Sequence, residues 1–144
     1  MSHISLVTLG VDDLDRATDF YEALGWRRSS ASVEGTVTFF HAAPVVLALF
    51  GRDDLAGDAH LSLSRSDGSA SVALAMNVES QDQVDRVLAS AQAAGGTISK
   101  RAQRAEWGGY SGYFLDPEGH LWEVAHNPYF DLLPDGRVVL PDSG

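Results

Sequence analysis

The sequence contains no cysteine, and its only lysine in 144 residues is Lys100. The first absence excludes disulfides, thiolate nucleophiles and zinc centres built on sulfur. Cations are scarce as well: 10 Lys and Arg stand against 20 Asp and Glu, giving a net charge of −10. Nucleic acid and anionic membrane are therefore not expected as partners, because phosphate binding needs clustered Lys and Arg. The arginines are scattered apart from Arg27-Arg28 and the stretch Lys100-Arg101-x-x-Arg104, which reads as a solvated strand end or loop. No apolar run approaches the ~20 residues of a membrane span. No basic-then-apolar segment opens the chain, so a cytoplasmic protein is the expectation.

What is present, 44% hydrophobic and 21% charged residues, is the composition of a globular chain. Ile4 to Val11 reads as a buried strand. Asp12 and Asp13 supply cap chemistry for a helix from Leu14 to Leu24, with Leu14, Ala17, Tyr21 and Leu24 on one face and Gly25 as its stop. Three strands are expected next, at Trp26 to Val33, Thr36 to His41 and Val45 to Phe50, punctuated by Glu34-Gly35 and Ala43-Pro44. Arg52 to Ser69 is polar and reads as a linker.

The order then repeats. Val72 to Val78 is strand-like, and Ser80-x-x-Gln83 is a capping-box signature. The helix that follows carries Val84, Val87, Leu88 and Ala91 on one face and stops at Gly95-Gly96. Strands are expected at Thr97 to Gln103, Gly109 to Leu115 and Leu121 to His126, with a further extended stretch at Arg137 to Leu140. The reading is an α+β fold of two βαβββ modules, residues 1–52 and 71–128, joined by a linker at 53–70 and followed by a tail at 129–144. The modules are expected to form a concave, partly open antiparallel sheet with helices outside. Asp116-Pro117-Glu118-Gly119 is a tight turn, and it delivers Glu123 into the middle of a hydrophobic strand. A carboxylate placed there needs a partner, a metal or a raised pKa.

Three stretches resemble the vicinal oxygen chelate superfamily of glyoxalase I, extradiol dioxygenases, and bleomycin- and fosfomycin-resistance proteins. They are Val11 to Trp26, the second helix ending in Ala94-Gly95-Gly96, and Gly112 to Val124. The resemblance implies ligand positions for a divalent metal, one on each of four strands. They fall at Leu6, at or beside Ala48, at Ala73 and at Glu123. Only Glu123 can donate to a metal, so the expectation is no metal and no cofactor. His3, His41, His60, His120 and His126 show no tight spacing and read as surface or capping residues. A displaced site joining His41 or His60 to Glu123 stays open as an alternative.

Alternation places Leu6, Thr8, Val46, Ala48, Ala73, Ala75, Leu121 and Glu123 on the concave face. Candidate aromatic walls are Trp26, Phe39, Trp107, Tyr110, Tyr113 and Trp122, with core packing the alternative for Trp26 and Trp122. Trp107-Gly108-Gly109-Tyr110 reads as a flexible aromatic lip. Ligand contacts are thus expected from Leu6, Thr8, Ala48, Ala73, Trp107, Tyr110, Tyr113 and Glu123, and any catalysis from Glu123 with Tyr113. Glu123 has three readings: a hydrogen bond to a tyrosine or amide, a ligand contact, or a general acid or base. Two functions follow. One is a metal-independent binder of a small, partly apolar or aromatic molecule. The other is a lyase, isomerase or dioxygenase, metal-dependent or metal-free, acting on a small carbonyl or phenolic substrate. The resemblance also implies a homodimer.

Overall fold

Residues 3–61 and 72–140 are described in the computed structural model. The chain divides into two compact units. One takes in the described residues up to 61 together with Pro117–His120; the other takes in 72–116 and 121–140.

In the first unit, β1 (Leu6–Val11), β2 (Val37–Ala42) and β3 (Val45–Gly51) form a sheet in the order β1-β3-β2. Helix α1 (Leu14–Ala23) starts at Asp13, whose side chain accepts the Arg16 N–H at 3.0 Å. It buries Ala17, Thr18, Phe20 and Tyr21, so Phe20 and Thr18 belong to the core stripe that spacing assigned to Leu14 and Leu24. Thr18 spends its hydroxyl on Thr38 of β2 at 2.8 Å, which satisfies both polar groups inside the core. Tyr21 sits between Phe20, Trp26 and Phe40, with ring centroids 5.1, 5.9 and 5.9 Å away. Trp26 is thus packed rather than lining a wall.

In the second unit the sheet order is β4-β7-β6-β5, with β4 at Ala73–Asn77, β5 at Thr97–Arg104, β6 at Tyr110–Leu115 and β7 at Leu121–His126. A helix of this unit, α3 (Gln81–Ala93), buries Val84, Leu88 and Ala91. Ser80 caps it by accepting the Gln83 N–H at 3.1 Å, while the Gln83 side chain accepts the N–H of Glu79, one residue before the cap. Gly25 and Gly95 follow α1 and α3 at φ +95° and +111°, the left-handed stop that side chains resist. Strand β5 is an edge with register shifts between Ile98 and Lys100 and between Lys100 and Gln103.

Three sequence expectations change. The sheets are mixed and not purely antiparallel, because β1 pairs parallel with β3 and β4 pairs parallel with β7. Alternation along a strand fixes its face but not its neighbour's direction. Trp26 to Val33 is no regular strand; it contributes only isolated bridges, Arg28 to Phe40 and Val33 to Val37. There the Ser32 hydroxyl accepts the Phe39 N–H at 2.9 Å, a side chain standing where a ladder carbonyl would. Finally, part of the expected linker is helix α2 (Arg52–Ala59), which buries no residue and so shows no apolar stripe to read. It covers the Gly10 end of the first sheet through Leu55. Positions 62–70 of that linker lie outside the described residues. In the tail, β8 (Asp131–Leu132) and β9 (Val138–Val139) form a short hairpin.

Gly112 shows how closely α3 sits on its sheet. A Cβ there would stand 2.7 Å from Leu88 Cδ1, 2.9 Å from the Ala102 nitrogen and 3.0 Å from the Lys100 oxygen. Backbone atoms cannot swing aside, so Gly112→Ala is expected to cost about 1–3 kcal/mol. Urea denaturation measures it, and an unchanged midpoint would show that the helix and sheet have room to separate.

Candidate functional site

The second sheet presents α3 with Phe114, Trp122 and Val124, all buried. Residues of opposite parity lie on the other face. Across that face the strands align Lys100, Tyr113, Glu123 and Ala75 in one row, and Gln103, Ser111, Ala125 and Asn77 in the next. A third row holds Thr97, Leu115, Leu121 and Ala73. Glu123 has the partner its position demands: the Tyr113 hydroxyl donates to Glu123 Oε2 at 3.1 Å. Burial, then the hydrogen bond to Glu123 and its negative charge, raise the Tyr113 pKa above the ordinary phenol value. Tyr113 is therefore a protonated donor at neutral pH. Behind this pair, on the α3 side, Phe114 and Trp122 stack with ring centroids 6.1 Å apart and planes within 3°. Trp122 is only 3% exposed, so it packs in the core.

Tyr110 does not join them. It lies three residues from Tyr113 and so takes the opposite face, where its hydroxyl donates to Asp85 of α3 at 2.7 Å. That bond is the leading cause of its raised pKa, followed by burial and the charge of Asp85. Trp107, half exposed, is held in the β5–β6 turn. A Cβ on Gly109 would overlap its indole, and one on Gly108 would stand 2.9 Å from the Tyr129 hydroxyl. The paired glycines of the lip make room for the chain's own aromatics.

The first sheet repeats the arrangement with different side chains. Thr8, Ala48 and Phe39 form the row corresponding to Ala75, Glu123 and Tyr113, and Leu6, Val46 and His41 form the row beside it. Ala48 therefore occupies in β3 the place Glu123 occupies in β7, and Leu6 in β1 matches Ala73 in β4. Leu6 and Ala73 are exposed and Ala48 is buried. A divalent metal at these four positions would find one carboxylate, two methyl groups and an isobutyl group, a donor set that does not fit it. The histidines are occupied otherwise. His120 donates from Nε2 to the Gly10 carbonyl at 2.9 Å and His126 from Nδ1 to that of Val78 at 3.2 Å. His60 ends α2 in a left-handed conformation, and His41 is exposed. Among the described residues no group of three or more His, Asp or Glu side chains is arranged to hold a metal ion.

A second enclosed carboxylate is one the sequence did not single out. The side chain of Glu118 is 2% exposed and reaches the start of α1. It accepts the Asp12 N–H at 2.5 Å and the Asp13 N–H at 3.3 Å, and it pairs with Arg16. Helix N-termini concentrate unpaired donors and positive potential, which suits a carboxylate. The Asp-Pro-Glu-Gly turn forecast a turn but gave no sign that its third residue would reach a helix more than a hundred residues earlier in the chain.

These features define an α+β protein built from open mixed sheets, each backed by a helix. The model of the glyoxalase/bleomycin resistance protein/dioxygenase superfamily matches residues 2–124. Among solved structures, a glyoxalase-related enzyme from Fulvimarina pelagi is similar, with a TM-score of 0.88, 30% identity, and coverage of 99% of this chain and 100% of that one. A lactoylglutathione lyase from Agrobacterium tumefaciens gives a TM-score of 0.66 at 22% identity, covering 88% of this chain and 95% of the other. A fosfomycin resistance protein from Listeria monocytogenes, complexed with Mn(II) and 1S,2S-dihydroxypropylphosphonic acid, gives 0.67 at 21% identity over 90% of this chain and 93% of that one. No curated protein sequence matches. The chain belongs to the glyoxalase/bleomycin resistance protein/dioxygenase superfamily. No helix among the described residues is long and apolar enough to cross a membrane.

Proposed function

We propose that this chain binds a small, partly apolar molecule on the sheet face that carries Tyr113 and Glu123, without the divalent metal of its metal-dependent relatives. The observation that carries this reading is the hydrogen-bonded Tyr113–Glu123 pair, set among the small side chains of Ala73, Ala75, Ser111 and Ala125. Small residues leave room above a sheet, and two oriented polar groups fix a ligand's direction. Glu123 accepts from a hydroxyl or amine through the oxygen Tyr113 leaves free, and the Tyr113 oxygen, its one hydrogen given to Glu123, accepts as well. The donor chemistry at Leu6, Ala48 and Ala73 supports metal independence.

A second reading keeps the same pair as an enzyme's machinery. A protonated phenol beside a carboxylate can stabilise a developing enolate while the carboxylate takes the proton. The Tyr113–Glu123 hydrogen bond holds the two groups side by side for either role.

An NMR titration with 4-hydroxybenzamide, a neutral aromatic probe with one donating hydroxyl, tests the site. Shift changes are expected to centre on Ser111, Tyr113, Glu123 and Ala75. Glu123→Gln should weaken binding about 10-fold or more, since a hydrogen bond to a charged group contributes about 1.5–3 kcal/mol. Tyr113→Phe should cost about 5-fold, the loss of one neutral hydrogen bond. Shift changes elsewhere, or variants that bind within twofold of the parent, would sink the reading. Elemental analysis of protein prepared without chelators checks the metal: a stoichiometric transition metal overturns metal independence.

A further inference from the structure

We infer that the ligand of this face carries an anionic group, held by Lys100, in addition to the hydroxyl or amine that meets Glu123. The inference rests on the reading of the Tyr113–Glu123 face as a binding surface and names the class of molecule it takes. Lys100 on β5 stands directly across from Tyr113 on β6, which stands across from Glu123 on β7. One row thus offers a cation, a neutral phenol and a carboxylate in sequence.

The rest of β5 separates Lys100 from its basic neighbours. Arg101 lines a cavity of about 640 Å³ with Asp85 and Gln92 of α3, on the helix side of the sheet. Arg104 pairs with Tyr110, whose own side chain also turns to α3. The register shift after Ile98 turns Lys100 to the face of Tyr113, while Ile98 and Ser99 line the cavity on the other side. Among the described residues Lys100 has no ion-pair partner. Glu123 is not its partner: Tyr113 lies between them in the strand order, and its hydroxyl occupies Oε2.

Spacing sets the size of the ligand. Neighbouring strands lie about 4.8 Å apart, so the Lys100 and Glu123 backbones are separated by roughly 10 Å. The four-carbon lysine stem closes part of that distance. A ring or a short chain with an anion at one end and a hydroxyl or amine at the other spans the remainder. A small hydroxy- or amino-carboxylate has this form, as does the corresponding phosphate ester.

Matched probes separate the possibilities: 4-hydroxybenzoate, 4-hydroxyphenyl phosphate and neutral 4-hydroxybenzamide, titrated by calorimetry and followed by NMR. The parent protein is expected to bind at least one anion about 10-fold more tightly than the amide, and the preference should shrink as salt rises. Whichever anion leads names the source, carboxylate or phosphate. Lys100→Gln should abolish the preference and leave amide affinity within twofold, whereas Lys100→Arg should keep it. Glu123→Gln should weaken acid and amide alike. If the amide shifts the Tyr113–Glu123 row and neither anion is preferred, the role of Lys100 is overturned while the binding face stands. The same holds if the preference survives in Lys100→Gln. If no probe touches that row, both fall.

Discussion

Glu118→Ala is expected to lower the free energy of unfolding by about 2–3 kcal/mol. The carboxylate is almost fully enclosed and satisfies three donors at once: the N–H groups of Asp12 and Asp13 and the Arg16 guanidinium. Removing it strands two backbone donors at the start of α1 and exposes an arginine charge to the helix's own positive end. Arg16 is 54% exposed, so water recovers part of its loss, and the value is set below that of a fully buried pair. Glu118→Gln retains an acceptor of the same shape and should cost about half as much. Because Pro117–His120 belong to the first unit while the strands on either side belong to the second, hydrogen exchange should quicken at Asp12, Asp13 and Arg16. A Glu118→Ala midpoint within the ±0.5 kcal/mol of an ordinary surface substitution would refute this account.

Phe114→Ala is expected to cost about 3–5 kcal/mol, the largest effect of any substitution considered, because a fully buried ring leaves a cavity its neighbours fill only in part. Phe114 is 0% exposed and stacks on Trp122. The two rings also back the Tyr113–Glu123 pair, since Phe114 adjoins Tyr113 and Trp122 adjoins Glu123 in the chain. The variant should therefore lose affinity for 4-hydroxybenzamide even where it remains folded, as the two strands lose their common support. Phe114→Leu keeps much of the volume and should stay under about 1.5 kcal/mol. Urea unfolding followed by far-ultraviolet circular dichroism distinguishes the variants. A Phe114→Ala protein as stable as Phe114→Leu would mean the cavity collapses without cost.

Much of the fold was legible in the sequence because its signals are local. The starts of α1 and α3 were written in Asp13 and Ser80, their ends in Gly25 and Gly95, and β7 in the alternation from Leu121 to His126. The parallel pairing of β1 with β3 was not legible, since alternation carries no information about a neighbour's direction. Helix α2 escaped because it is polar on every side. Glu123 was legible as a carboxylate in want of a partner, with a neighbouring tyrosine or amide among the groups open to it. The facing of Tyr110 was legible too: three residues from Tyr113 on one strand, it had to turn the other way. Glu118 could not have been found, because its role depends on two backbone amides brought to it only by the folded chain.

Strand β5 also bears on solubility. An edge strand offers unpaired backbone groups to any other extended chain, and such templates drive aggregation. Here the edge is interrupted at two places in its register and carries Lys100, Arg101 and Arg104 within five residues. A straight incoming strand would lose its hydrogen-bond register at each interruption and would have to bury these cations without partners. The same irregularity that aims Lys100 at the row of Tyr113 makes this margin of the sheet a poor seed for fibrils.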